Sequence, residues 1–270
     1  MWEAEPETVA IIALIGVLYA AVAIAMKRRP SANQTAAFCC ALIALLITIT
    51  GPLDYFARER SFSTYIFQQM VLIFVVPPLL LLGLADWMVR PVLLNRFIEP
   101  VARVVTRPLF AFLLFAGTFT LLHYPPVCDR VCHVEEFYGS IRAILVFVGA
   151  VLWWPLLSPL PEYPRLSYPM QILYLFLLMI PMTAVGAPIT MAQSVIYVFY
   201  MEAPHPFGLT PMADQVLGGL IMWVGQGVYI MFVFTGIFFQ WSRREDTENP
   251  PINRQLPPMR ILHAHHRPGA

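Results

Sequence analysis

The chain is a succession of long apolar runs separated by short polar stretches. Seven runs cover about residues 9–26, 35–52, 65–84, 109–124, 141–160, 170–201 and 216–239. A helix rising ~1.5 Å per residue needs about 20 such residues to cross ~30 Å of hydrocarbon, and most of these runs approach that length. They are continuously apolar and lack the alternation of a membrane β-strand. The pattern predicts an all-α fold: a polytopic membrane bundle of about seven transmembrane helices over residues 1–241, then a polar, loosely ordered tail over residues 242–270. The fourth run is short. The sixth is too long for one simple crossing, and Pro181, Gly186 and Pro188 predict a kink or break in it. Pro77-Pro78 predicts a bend in the third.

Composition agrees with lipid as the solvent. Hydrophobic residues make up 59% of the chain, charged residues only 12%, and mean hydropathy is +0.67. A soluble surface needs more charge than this. The net charge of +1 gives no reason to expect a nucleic-acid partner. The start is acidic, with Glu3 and Glu5 where a signal peptide would be basic, so the first run is expected to remain as a span. With the N-terminus outside, thirteen Lys and Arg residues fall on the inner side and four on the outer. That asymmetry predicts an N-out, C-in orientation. Between the third and fourth runs, Trp87, Val89, Leu93, Phe97 and Val101 recur at helical spacing with arginines between them. Two readings stand: an interfacial amphipathic helix, or a solvated connector.

This orientation gathers the interesting polar residues at the outer end. Asp54, Tyr55, Glu59, Cys128, Asp129, Cys132, His133, Glu135, Glu136, His205 and Asp214 lie outside the spans, and Tyr65, Gln68, Gln69, His123 and Arg142 lie just within them. Polar side chains inside a membrane are costly and suggest function. Cys128 and Cys132 are one helical turn apart, with His133 alongside. Thiolates and imidazole suit copper, and a disulfide in an oxidising compartment is the alternative. A dinuclear copper centre would need a histidine where Glu136 stands. His123 closes the fourth run, either as an interfacial helix end or as a metal ligand. The candidate metal ligands are therefore Cys128, Cys132, His133 and His123. His263, His265 and His266 in the tail form a weaker cluster of the same kind. Cys39 and Cys40 read as small packing residues, and Trp153-Trp154-Pro155 as an aromatic anchor at the membrane interface. No phosphate loop, no Ser/His/Asp grouping and no zinc-protease motif is present.

Several motifs, taken in order, give the chain a resemblance. They are Gly51-Pro52-Leu53, Pro77-Pro78 with the leucines to Gly83, His123-Tyr124-Pro125, Trp153-Trp154-Pro155, and Gly208-Leu209-Thr210-Pro211 leading to Asp214-Gln215 and Met222-Trp223. Over about residues 50–240 the chain resembles the multi-span CtaG family of bacterial cytochrome c oxidase assembly factors. The resemblance implies a multi-pass protein of the bacterial inner membrane, a chaperone and not an enzyme. Its partners would be membrane lipid and subunits of cytochrome c oxidase or another respiratory complex. It also implies support for copper delivery at the outer face, with copper as the cofactor. The departures are specific. Family histidines ahead of the Pro-Pro run and of the Trp-Trp-Pro are replaced by Tyr65, Gln69 and Arg142. Either copper handling has moved to Cys128, Cys132 and His133, or the scaffold persists without metal. A metal-free adaptor and a thiol-redox protein using Cys128 and Cys132 are the alternatives.

Overall fold

The structure, a computed structural model, describes residues 6–202 and 208–248; within these, the side chains of residues 131–133, 135, 136, 246 and 248 lie outside the description. The described residues are helical throughout, joined by short connectors. Six helical stretches are long and apolar enough to cross a membrane, or seven if a bent pair counts as one span.

The first two spans are α1 (Pro6–Ala25) and α2 (Ala32–Ile49). Ser31 starts α2 with a capping box: its hydroxyl accepts from Gln34 N–H, and the Gln34 side chain accepts from Ser31 N–H. The short α3 (Pro52–Glu59) follows at the bundle's end. Next come α4 (Phe62–Phe74) and α5 (Val76–Gly83), which together form the third span. Two short helices, α6 (Asp86–Leu93) and α7 (Glu99–Val105), occupy the connector for which a single amphipathic helix was one reading. Helix α8 (Pro108–Leu122) has 15 residues and reaches spanning length only together with α7, across a 74° bend. Helix α9 (Pro125–His133) leads into α10 (Glu135–Leu157), and α11 (Tyr168–Met191) follows. A 3₁₀ turn at Val198–Tyr200 precedes α12 (Pro211–Leu220), a π-helical turn at Ile221–Gly225, and α13 (Gln226–Glu248).

The core lies around α4, which is packed by α10, α12, α3 and α2. Its break at Val75 has a direct cause. Pro77 and Pro78 carry no N–H, so the carbonyls of Ile73 and Phe74, four residues back, lose their helical partners. In lipid an unpaired carbonyl costs several kcal/mol unless a neighbour replaces the bond. Trp153 Nε1–H on α10 donates to Ile73 O at 3.0 Å, and Tyr229 O–H on α13 donates to Phe74 O. Gly149 makes the first bond reachable: a Cβ there would lie 2.5 Å from Pro77 Cγ and 2.9 Å from Ile73 O. The rings of Phe74, Trp153 and Tyr229 close over the break at mutual centroid distances of 5.8–6.3 Å.

At the other end of α4, Asp214 acts as a cap borrowed from α12. Its carboxylate accepts from Phe62 N–H (2.6 Å), Ser63 N–H (3.3 Å) and the hydroxyls of Ser61 and Ser63. These are the orphan donors of a helix N-terminus, where a negative charge is favoured. Gly218 and Gly219 let α12 approach closely enough, since a Cβ on either would collide with Phe62 and Thr190 respectively.

Several expectations are corrected here. Helix α11 runs unbroken through Pro181 and Pro188, each of which removes only one N–H, and the chain leaves the helix after Met191 instead. Trp153 and Trp154 are buried in the protein and do not anchor it at an interface, because the first is needed by Ile73. Cys39 and Cys40 are exposed and are not buried packing residues. Helix α13 extends through residues 242–248, so the tail begins later than residue 242; residues 249–270, including His263, His265 and His266, lie outside the described residues.

Candidate functional site

The end of the bundle holding α3, α9 and the starts of α4 and α10 gathers most of the polar residues singled out above. Its centre is an ion pair. Arg142 Nη1–H donates to Asp54 Oδ1 at 2.6 Å and to Ile49 O at 3.3 Å, with only 11% and 14% of the two side chains exposed. Gln68 Nε2 donates to Asp54 Oδ1 and to Thr48 O, both at 2.8 Å. The Gln68 carbonyl in turn accepts from Tyr138 O–H at 2.6 Å. The Arg142 guanidinium lies over the Tyr138 ring, 4.9 Å from its centroid, and Arg58 lies 5.7 Å from the same ring. Four helices, α2, α3, α4 and α10, are thereby tied together by one charge pair and its hydrogen bonds. Burial pushes the Asp54 carboxyl above the usual carboxylate range, against the opposing pull of Arg142, Gln68 and Arg58.

Tyr65, one of the three departures, is buried and faces the Tyr138 ring at 6.3 Å. Tyr65 and Arg142 thus both contact one tyrosine. Gln69, one turn along α4 from Tyr65, is 1% exposed, and neither end of its amide has a hydrogen-bond partner among the described residues. Residue-by-residue reading missed Tyr138; the available signal was its position four before Arg142 on one face of α10. It also missed Tyr197 and Tyr200. Tyr197 O–H donates to His123 O, Tyr200 O–H donates to Ala57 O, and Tyr197 stacks on Phe62 at 4.1 Å.

His123 is buried at the end of α8. Its Nδ1 lies 2.7 Å from Phe119 O, which can only accept, so Nδ1 carries the proton. In the neutral ring Nε2 therefore holds the lone pair, and it is buried without a partner among the described residues. Cys128 on α9 is fully buried, which turns it away from the exposed thiol–imidazole face expected of it. The side chains of Cys132 and His133 lie outside the described residues. Among the described residues no group of three or more His, Cys, Asp or Glu side chains is placed to hold a metal. The residues present at the replaced positions do not fit copper. Arg142 is a permanent cation already satisfied by Asp54, and Tyr65 and Gln69 offer hard oxygen or amide donors where soft metal needs imidazole or sulfur.

The sequence of this bundle matches a known family. The model of the cytochrome c oxidase caa3 assembly factors, Caa3_CtaG, matches residues 17–244, from the middle of α1 to the last turns of α13. The chain belongs to the Caa3_CtaG family. The match extends the resemblance seen over about residues 50–240 toward the N-terminus, so α1 and α2 are part of the Caa3_CtaG fold in this chain too. Individual relatives are distant. An uncharacterized protein of Mycobacterium bovis is 26% identical over 257 residues, covering 86% of this chain and 38% of the relative. A Mycobacterium tuberculosis protein matches to the same extent, and one from Mycobacterium leprae is 25% identical over 146 residues, 54% of this chain. The chain thus spans well under half the length of the curated relatives it matches. No solved structure matches.

Proposed function

We propose that this Caa3_CtaG member supports assembly of a caa3-type haem-copper oxidase in the bacterial inner membrane as a binding scaffold, neither catalysing a reaction nor passing copper through the family's histidine positions. The observation that carries this reading is the Asp54–Arg142 pair at 2.6 Å, linked through Gln68 and Tyr138. A buried pair of this kind holds α3 and α10 in one arrangement, and breaking it is costly. It offers a preformed polar end for an oxidase subunit, in the place where the family resemblance leads one to expect metal ligands. The thiol-redox alternative needs Cys128 within reach of a partner, and that side chain is fully buried.

Two measurements on one strain test the proposal. Deleting the chain in its host should lower the amount of assembled oxidase, read from its haem spectrum. Titrating the purified, reduced chain with Cu(I) should bind less than one equivalent. Undiminished oxidase would remove the assembly role. One or more equivalents of copper, lost in Cys128→Ser and Cys132→Ser, would restore a copper-carrying function, with His123 Nε2 as the first further ligand to examine.

A further inference from the structure

The opposite end of the bundle carries a cleft. About 660 Å³ opens where α10 and α13 part beside the start of α11. It grades from apolar to cationic along its length. On α13 the lining residues run Val233, Gly236, Ile237, Gln240 and Arg244, and Arg165 from the connector before α11 joins them at the mouth. Eleven residues of helix separate Val233 from Arg244, or about 16 Å, close to half the ~30 Å thickness of the hydrocarbon core. Among the described residues no acidic side chain lines the cleft. The Arg165 Nε–H is committed to Ser158 O at 2.9 Å, which fixes the side chain while its terminal amino groups make no hydrogen bond among the described residues. The cleft is open at depth as well, since a Cβ on Gly236 would meet nothing within 4 Å.

A cationic mouth above an apolar slot of this length fits one chemistry: a phosphate with a hydrocarbon chain attached. Basic pockets between transmembrane helices at an arginine-rich face bind anionic lipid headgroups for this reason. The sequence places most of the chain's cations at this end, and Arg90 pairs here with Glu162 at 2.8 Å. Helix α11, whose 24 residues begin here with no acidic side chain in the first turn, adds the positive end of its dipole. We propose that the cleft is a binding site for one anionic phospholipid, its phosphate held by Arg165 and Arg244 and one acyl chain lying over Gly236 between α10 and α13. The lipid fills the space between two helices that otherwise part, and it fastens the last span to the core.

The test uses the full chain purified in detergent, with native mass spectrometry and thermal unfolding as readouts. Added phosphatidylglycerol should be retained at about one molecule per chain and raise Tm by a few degrees, whereas phosphatidylcholine and inorganic phosphate should do neither. The pair Arg165→Gln and Arg244→Gln should cut phosphatidylglycerol retention about tenfold. Gly236→Leu should do the same by filling the slot. It should leave the lipid-free Tm unchanged or higher, because its side chain enters open space and leucine favours helix. Equal retention of phosphatidylcholine would overturn the proposal, as would a Tm rise with phosphate alone, or retention that neither variant alters.

Discussion

Helix α4 is fixed at its two ends by different physics. At the Pro77-Pro78 end, two freed carbonyls are taken up by Trp153 and Tyr229, with neutral donors, no charge and close packing through Gly149. Toward the other end, inward of the first turn that Asp214 caps, Gln68 at mid-helix is joined to Asp54, Arg142 and Tyr138 by a charge pair and polar side chains. The first arrangement solves a problem the chain itself creates, since two successive prolines free two adjacent carbonyls in a buried helix. The second also serves the backbone, since Gln68 and Arg142 donate to Thr48 O and Ile49 O at the end of α2, but it does so with a charge pair that this role does not require. Its buried charges need each other, and replacing both together would cost the fold little beyond the Arg142 bond to Ile49 O. A charge kept where a neutral donor would serve the backbone is the better marker of function. In this chain that marker includes one of the three positions where the family resemblance leads one to expect histidine, Arg142, and a second, Tyr65, packs on its Tyr138 ring.

The sharpest way to break the comparison is to remove one charge. Arg142→Gln leaves the Asp54 carboxylate buried without its partner, and stability should fall by about 3–5 kcal/mol. Adding Asp54→Asn should recover much of the loss, because the pair then leaves no charge behind. Unfolding of the detergent-solubilised variants by heat or SDS measures both. If the double variant is no better than Arg142→Gln alone, the two residues are not acting as a pair.

A smaller loss is expected at the other end. Trp153→Phe keeps an aromatic ring against Phe74 and Tyr229 but leaves Ile73 O without a donor. An orphaned buried carbonyl costs about 1–3 kcal/mol. The same unfolding assay should therefore rank Trp153→Phe below Arg142→Gln. The reverse order would mean that the proline break carries more strain than the charge network, and that the polar end is the more dispensable of the two.

The two ends also differed in how far they could be read beforehand. The spans were legible because apolar runs of this length have one use. The bend at Pro77-Pro78 was legible because proline lacks an N–H, and the orphaned carbonyls of Ile73 and Phe74 follow from it by counting back four. Which side chains would satisfy them was not legible. Trp153 sits in a Trp-Trp-Pro sequence that reads equally well as an interfacial anchor, and only the fold brings it across 80 residues to Ile73. At the polar end the residue types were visible, and Asp54, Gln68 and Arg142 all stood out as polar groups near one face. Their pairing was not visible, since 88 residues separate Asp54 from Arg142 and nothing local couples them. Asp214 read as an outer-surface acid, whereas it caps α4 from 151–153 residues away. The burial of Cys128 was not legible either: its spacing to Cys132 was visible, but spacing along a helix does not say which side faces the core.

Titration separates the two ends most finely. The Pro77-Pro78 junction rests on the Trp153 indole and the Tyr229 phenol, neither of which gains or loses a proton in mild acid, so the loss in Trp153→Phe should be the same from pH 4 to 7. The Asp54 carboxyl is raised from its ordinary value of 3.8, burial outweighing Arg142. The native state therefore holds that proton at pH values where the unfolded chain has released it. With more protons bound in the native state, stability contributed by this group must fall as pH rises through the window that begins near 3.8 and ends at the raised value. Other carboxylates titrate there too, so the quantity to follow is wild type minus Asp54→Asn. Arg142 stays charged throughout and contributes only a constant offset to that difference. The difference in Tm should decline with rising pH across the window and level off above it. A difference that climbs instead would mean that Arg142 overrides burial and holds Asp54 ionised, and the polar end would then be a simple salt bridge, with its proton affinity lowered by the pairing that also holds the helices.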